Sequence, residues 1–121
     1  MKYMLLIHHD AAPTPNDPDA WANVPDDVKA ALPAEWQALS QTPGVTPGEW
    51  MEGPETATTV RSKDGQTVTT DGPFAGMKEA IGGYLIYEAD DLDAAIALAA
   101  KVPSVRFGGA VEIRPIHEGW S

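Results

Sequence analysis

Proline placement constrains this 121-residue chain more strongly than any other feature of its sequence. Eight of the eleven prolines lie between residues 11 and 55. Because proline lacks a backbone N–H and fixes φ, this region must consist largely of loops and short helices. Two short helices fit it, over residues 26–32 and 33–39, the second with Pro33 in its first turn. We therefore expect a single domain, residues 1–121, with an irregular proline-rich segment over residues 11–48.

Strand patterns lie on both sides of that segment. Residues 3–7 and 81–87 are short continuous apolar runs, which are typical of central strands. The paired glycines at the start of the second run indicate a bulge or a close approach of another backbone. Residues 110–114 alternate between apolar and polar side chains, as a half-buried strand does, and residues 49–52 are a possible short strand.

A hairpin and a helix complete the predicted elements. Asp64-Gly65 lies between the Thr/Val-rich segments 56–61 and 66–70, which is a strong hairpin signal. Its polar composition places this hairpin in solvent or at a sheet edge. A helix follows, with Asp90 as its cap and Pro103 at its end. Its apolar stripe consists of Leu92, Ala95, Ile96, Ala99 and Val102.

This order of elements predicts an α+β fold, a ferredoxin-like sandwich with an inserted β-hairpin. Helices would cover one face of the sheet, and a second copy of the chain would bury the other face in a homodimer. We also expect the first and third core strands to run parallel. His8 at the end of the first strand would then meet Asp71, which precedes the third, only if residues 71–81 fold back along the sheet.

Composition narrows the classes of function. The chain has 8 Lys+Arg and 18 Asp+Glu, a formal net charge of −10, so it should repel nucleic acids and anionic membrane surfaces. Without Cys it has no disulfide, thiol nucleophile or Cys-based zinc site. The apolar runs are too short for a secretory signal or a membrane span, so we expect a cytoplasmic protein that binds no nucleic acid and no membrane.

One motif resembles a known family. Residues 71–79 have the sequence Asp-Gly-Pro-Phe-Ala-Gly-Met-Lys-Glu. This segment resembles that of the YCII-related, or DGPF-domain, family, and residues 1–8 and 49–116 are similar to it as well. The resemblance implies a ferredoxin-like dimeric α/β barrel in small bacterial proteins, some of them associated with sigma factors. It also implies a catalytic His–Asp pair in a YciI-like subgroup, with the His on the first helix. Residues 26–42 contain no His, so that role is not carried over.

Five residues are candidates for a site. Asp71, partly desolvated beside a proline turn, would suit proton transfer, although Asp in such turns more commonly bonds the backbone. His8 would line the cavity as a proton carrier. Lys78 is the candidate anion contact, with the alternative of a surface ion pair with Glu79. Phe74 and Glu79 complete the candidate ligand-binding set.

Metal and cofactor signals are weak. His8, His9 and Asp10 are adjacent, but neighbouring residues on a strand point to opposite faces, so we expect no metal site. Gly82-Gly83 lacks the spacing of a phosphate-binding loop, and we expect no cofactor. Two hypotheses remain: a small-molecule binding protein or acid/base enzyme with a pocket at the DGPF segment, or a non-catalytic dimeric regulatory module that binds a protein such as a sigma factor.

Overall fold

The computed structural model describes residues 1–8, 18–72 and 81–118. The described elements form an α+β fold of antiparallel sheets and helices, as the sequence predicts. In chain order they are β1 (Lys2–His8), α1 (Pro18–Ala22), α2 (Asp26–Ser40), β2 (Val45–Trp50), a 3₁₀ turn (Pro54–Thr56), β3 (Thr58–Lys63), β4 (Gln66–Asp71), β5 (Ile81–Glu88), α3 (Leu92–Ala99), α4 (Pro103–Arg106) and β6 (Ala110–Pro115).

The main sheet has the strand order β2-β5-β1-β6, and each neighbouring pair is antiparallel. The prediction that the first and third core strands run parallel is therefore wrong. The helical connection between β1 and β2 keeps the strand direction, whereas the connection through the β3–β4 hairpin reverses it. His8 consequently pairs with Ile81, so the end of β1 adjoins the start of β5.

One face of the main sheet carries the core. Tyr3, Leu5 and Ile7 alternate along β1 and are buried against side chains from the helices. Those partners include Leu39 of α2 and Leu98 of α3. Both helices thus lie on the same face of the sheet, as the sequence predicts, and they remove its apolar side chains from water.

The other face of the sheet is apolar but only half-buried. Its centre consists of Met4 and Leu6 of β1 with Tyr84 and Ile86 of β5. These residues alternate with the buried ones, so they point away from α2 and α3. We call these four side chains the open sheet face.

The helices differ from prediction in three respects. Residues 26–40 form one helix with Pro33 inside it, because packing of this helix against the sheet outweighs the hydrogen bond lost at the proline. The cap of α3 is Asp91, whose Oδ1 accepts from the N–H of Ala94 at 2.8 Å, so the prediction of Asp90 is wrong. The helix α3 ends at Ala99, and Pro103 begins the separate short helix α4.

The predicted apolar stripe is only partly buried. Ala95, Ala99 and Val102 belong to the core, but Leu92 and Ile96 are each 50% exposed. Leu98, outside the predicted stripe, is buried instead. The contact of α3 with the sheet is thus narrower than its hydrophobic pattern suggests.

The β3–β4 hairpin is confirmed and forms a two-stranded sheet of its own. Its turn residues Asp64 and Gly65 have φ values of 53° and 79°, the positive φ at both central positions that a type I′ turn requires. All of its strand residues are exposed except Thr59, which is half-buried. The expectation of a solvated hairpin is therefore correct.

A bidentate ion pair joins two helices. The guanidinium of Arg106 in α4 donates to both carboxylate oxygens of Glu35 in α2, each at 2.9 Å. The hydrogen bonds hold the pKa of Glu35 below its ordinary value and raise the pKa of Arg106. Because both side chains are more than one third exposed, solvent limits what this pair contributes to stability.

Candidate functional site

His8 is a buried polar side chain at the end of β1. It is 8% exposed and points to the same face of the sheet as Leu6. The pairing of β1 with β6 places Glu112 opposite Leu6, diagonally next to His8. The Nε2 atom of His8 lies 3.5 Å from Oε1 of Glu112. A carboxylate at this distance attracts an imidazolium and orients the ring.

The backbone packs closely around His8. Gly109 donates its N–H to the carbonyl of Ser104 at 2.8 Å. A Cβ at Gly109 would lie 2.6 Å from the carbonyl oxygen of His8, so only glycine fits between α4 and the end of β1. The end of the strand that carries His8 is therefore held by α4 and β6 together.

The irregular pairing with β5 also shapes this end of the sheet. Ile7 pairs with Gly83 and His8 with Ile81, so Gly82 is an extra residue at a register shift. Trp50 lies against Gly83, where a Cβ would be 2.5 Å from its ring. Trp50 also makes an edge-to-face contact with Trp36, with ring centroids 4.6 Å apart.

Asp71 lies at the end of β4, opposite Thr58, and its side chain is exposed. Just after it, the N–H of Gly72 donates to the carbonyl of Ala57 at 2.7 Å, and the hydroxyl of Thr59 donates to the carbonyl of Gly72 at 2.8 Å. These bonds fix the base of the hairpin. The backbone beside Asp71 is thus held by hydrogen bonds, but its carboxylate is accessible to solvent, so the expectation that Asp71 is partly desolvated is wrong for the single chain.

Comparison with known proteins agrees with the motif at residues 71–79. The family model for the YCII-related domain matches residues 1–119. The chain belongs to the YCII-related domain family. A relative in Rhizobium meliloti (strain 1021), "Uncharacterized protein R00369", is 28% identical over 118 residues, covering 96% of this chain and 92% of the relative. The family predicted from the sequence is thus confirmed.

The DGPF segment of this YCII-related domain begins at Asp71 and continues into residues outside the described ranges. Phe74, Lys78 and Glu79 fall there, as do His9 and Asp10, so their roles remain predictions. The chain re-enters the described structure at Ile81, beside His8.

Sequence reasoning missed Glu112. The alternation of residues 110–114 placed it on the polar side of a strand, but only the pairing of β6 with β1 puts it beside His8. Within residues 1–8, 18–72 and 81–118, no group of three or more His, Asp or Glu residues is arranged to hold a metal ion. Among the described helices, none is long and apolar enough to cross a membrane.

Proposed function

We propose that this YCII-related protein binds a small molecule where the DGPF segment meets the end of β1, and that His8 and Asp71 move protons there. The observation that supports this most is the buried imidazole of His8 beside Glu112. Burying a polar ring at the end of a strand costs free energy unless its partners compensate, and functional sites accept such costs. Imidazole also exchanges protons near neutral pH.

The proposed roles follow the sequence. His8 accepts or donates a proton with Glu112 orienting its ring, and Asp71 supplies a second acid/base group. Lys78 binds the anionic end of the ligand, while Phe74 and Glu79 line the pocket. A small organic acid is the ligand class that a lysine beside an apolar ring would favour.

The proposed assembly is a homodimer with a ferredoxin-like fold in each subunit. Its support is the strand order of the main sheet, in which the first and third of its strands are central and the second and fourth are at the edges. The open sheet face of Met4, Leu6, Tyr84 and Ile86 would pack against its counterpart and form a dimeric α/β barrel. Burial contributes about 25 cal/mol per Å² of apolar surface removed from water.

A thermal-shift screen tests the binding site. Small carboxylic acids, including halogenated ones, are added to the wild type and to three variants that keep a polar side chain: Asp71→Asn, His8→Gln and, as the control, Asp64→Asn in the hairpin turn. At least one acid should raise the melting temperature of the wild type and of Asp64→Asn, because ligand binding stabilises the folded state. The shift should disappear in the other two variants. Equal shifts in all four proteins would rule out this site.

The second candidate function is a regulatory module that binds another protein, for example a sigma factor. The exposed apolar pair Leu92 and Ile96, one turn apart on α3, favours it, because such pairs occur at interaction surfaces. This alternative predicts no stabilisation by any acid in the screen. It also predicts that Ile96→Glu abolishes co-purification with the partner protein and leaves the melting temperature unchanged.

A further inference from the structure

The strands of the β3–β4 hairpin are largely exposed to solvent. A two-stranded ribbon alone in water is marginally stable and needs a further strand or a packed face. Here the two strands pair with each other and lie outside the main sheet. Val60 and Val68, one on each face of the ribbon, are 62% and 42% exposed, so each face has an apolar side chain accessible to solvent.

The two faces of the hairpin differ in charge. Residues on directly opposed positions share a face, and alternate residues along each strand do so as well. The first face contains both cations of the hairpin and no carboxylate; it consists of Thr59, Arg61, Lys63, Gln66, Val68 and Thr70. We call it the cationic face. The second face contains Val60 and ends with Asp71.

An acidic surface lies at the far end of the main sheet. Glu88 ends β5, and the exposed residues Asp90, Asp91 and Asp93 follow it at the start of α3. The chain leaves the main sheet at Trp50 and returns at Ile81. Both residues lie at the start of β5, the end opposite to Glu88. The two ends are separated by the eight residues of that strand, roughly 25 Å.

We propose that the cationic face docks on the acidic start of α3 in a second copy of the chain. When two sheets pack about a two-fold axis with their strands antiparallel, the hairpin end of each copy lies beside the acidic end of the other. The contact is then made twice, as an isologous interface requires. Each copy has a net charge of −10, so two copies repel each other. Cations placed at the contact between the copies reduce this repulsion.

This inference rests on the proposed homodimer and adds to it a second contact, made by the hairpin. The two faces of the hairpin provide a matched test, because the chain has no native Cys. Val68→Cys places a thiol on the cationic face, and Val60→Cys places one on the second face. Maleimide labelling is measured below and above the dissociation constant of the dimer, with far-UV circular dichroism to check folding.

Dimerisation should slow labelling of Val68→Cys at least about fivefold and leave Val60→Cys unchanged, because docking covers only the cationic face. Lys63→Glu should weaken the dimer about tenfold, whereas the control Lys101→Glu, at an exposed position two residues after the end of α3, should not. Equal labelling of the two cysteines in a stable dimer would contradict the hairpin contact but not the proposed homodimer. A wild type that stays monomeric would overturn both.

Discussion

The ring of Trp50 rests on the backbone of β5 because residue 83 is glycine. A Cβ there would lie 2.5 and 2.7 Å from two ring atoms and 3.1 Å from the carbonyl oxygen of Glu49. The sequence predicts a bulge or a close approach at the two glycines, and the structure has both: Gly82 at the register shift and Gly83 under Trp50. The identity of the approaching residue depends on the pairing of β2 with β5, which no local pattern encodes.

Gly83→Ala should therefore destabilise the protein by about 1–3 kcal/mol, the usual range for an overpacked site. The free energy of unfolding, measured by urea denaturation, gives the cost. The same substitution in a Trp50→Ala background should cost at least about 1 kcal/mol less, because the ring that it displaces is absent. Equal costs in the two backgrounds would show that the clash is not with Trp50.

At the scale of elements, the sequence predicts correctly those features that depend on interactions between residues close together in the chain. The Asp64-Gly65 turn, the strand at β1 and the existence of α3 all follow from residues adjacent in sequence. The predicted cap of α3 was wrong by one residue. Asp90 and Asp91 have the same side chain, and only the backbone geometry determines which of them caps the helix. The continuity of α2 through Pro33 depends on its packing against the sheet, which is not local.

The cap gives a matched pair of variants. Asp91→Ala should cost about 1 kcal/mol of stability, because the N–H of Ala94 loses its acceptor. Asp90→Ala removes the same charge from the same region and should stay within about 0.5 kcal/mol of the wild type. Thermal unfolding of both variants at one ionic strength measures the difference. An equal loss would mean that charge near the helix start, and not the hydrogen bond, stabilises α3.

The Glu35–Arg106 pair predicts a dependence on pH. The folded pKa of Glu35 is lowered, so its contribution is present above the ordinary pKa of a glutamate and is lost as the pH falls through the folded value. Arg106→Ala should cost no more than about 1 kcal/mol at pH 7, because both groups are exposed.

That difference should shrink as the pH falls below the ordinary pKa of a glutamate and then through the lower folded pKa, below which Glu35 is protonated in both states. Urea denaturation of the wild type and Arg106→Ala at pH 7 and pH 3 measures it, and Glu35→Gln should behave in the same way as Arg106→Ala. A cost that stays constant with pH would indicate that Arg106 acts through packing on Phe107, which lies under its guanidinium.

At the scale of the whole molecule, the half-buried apolar side chains of the open sheet face are the main support for the proposed homodimer. Leu6→Glu should convert the proposed homodimer to a monomer, because it adds a carboxylate directly opposite Glu112, where the two like charges would repel each other as the interface excludes water. Val105→Glu is the matched control, an exposed apolar residue on α4 that lies outside both proposed contacts, and should leave the proposed dimer unchanged. Sedimentation equilibrium measures both. A dimer that tolerates Leu6→Glu would place the interface elsewhere.

The candidate site was partly predictable at this scale. The sequence named His8 and Asp71 because of their chemistry and the family motif, but it placed the strands that position them in the wrong relative direction. The contact of Glu112 with His8 could not be predicted, because the two residues are 104 positions apart along the chain and are brought together only by strand pairing. Residue types are local information, whereas the register that brings them together is not.

The separation of His8 from Asp71 in the ligand-bound protein, within one chain or between two, tests the central claim most directly. A crystal structure grown with the acid that gives the largest thermal shift measures it. We expect the ligand between the two side chains, each bonded to it directly or through one water, within one subunit or across two. A ligand bound away from His8, or the two side chains further apart than one bridging molecule in every copy, would contradict the account.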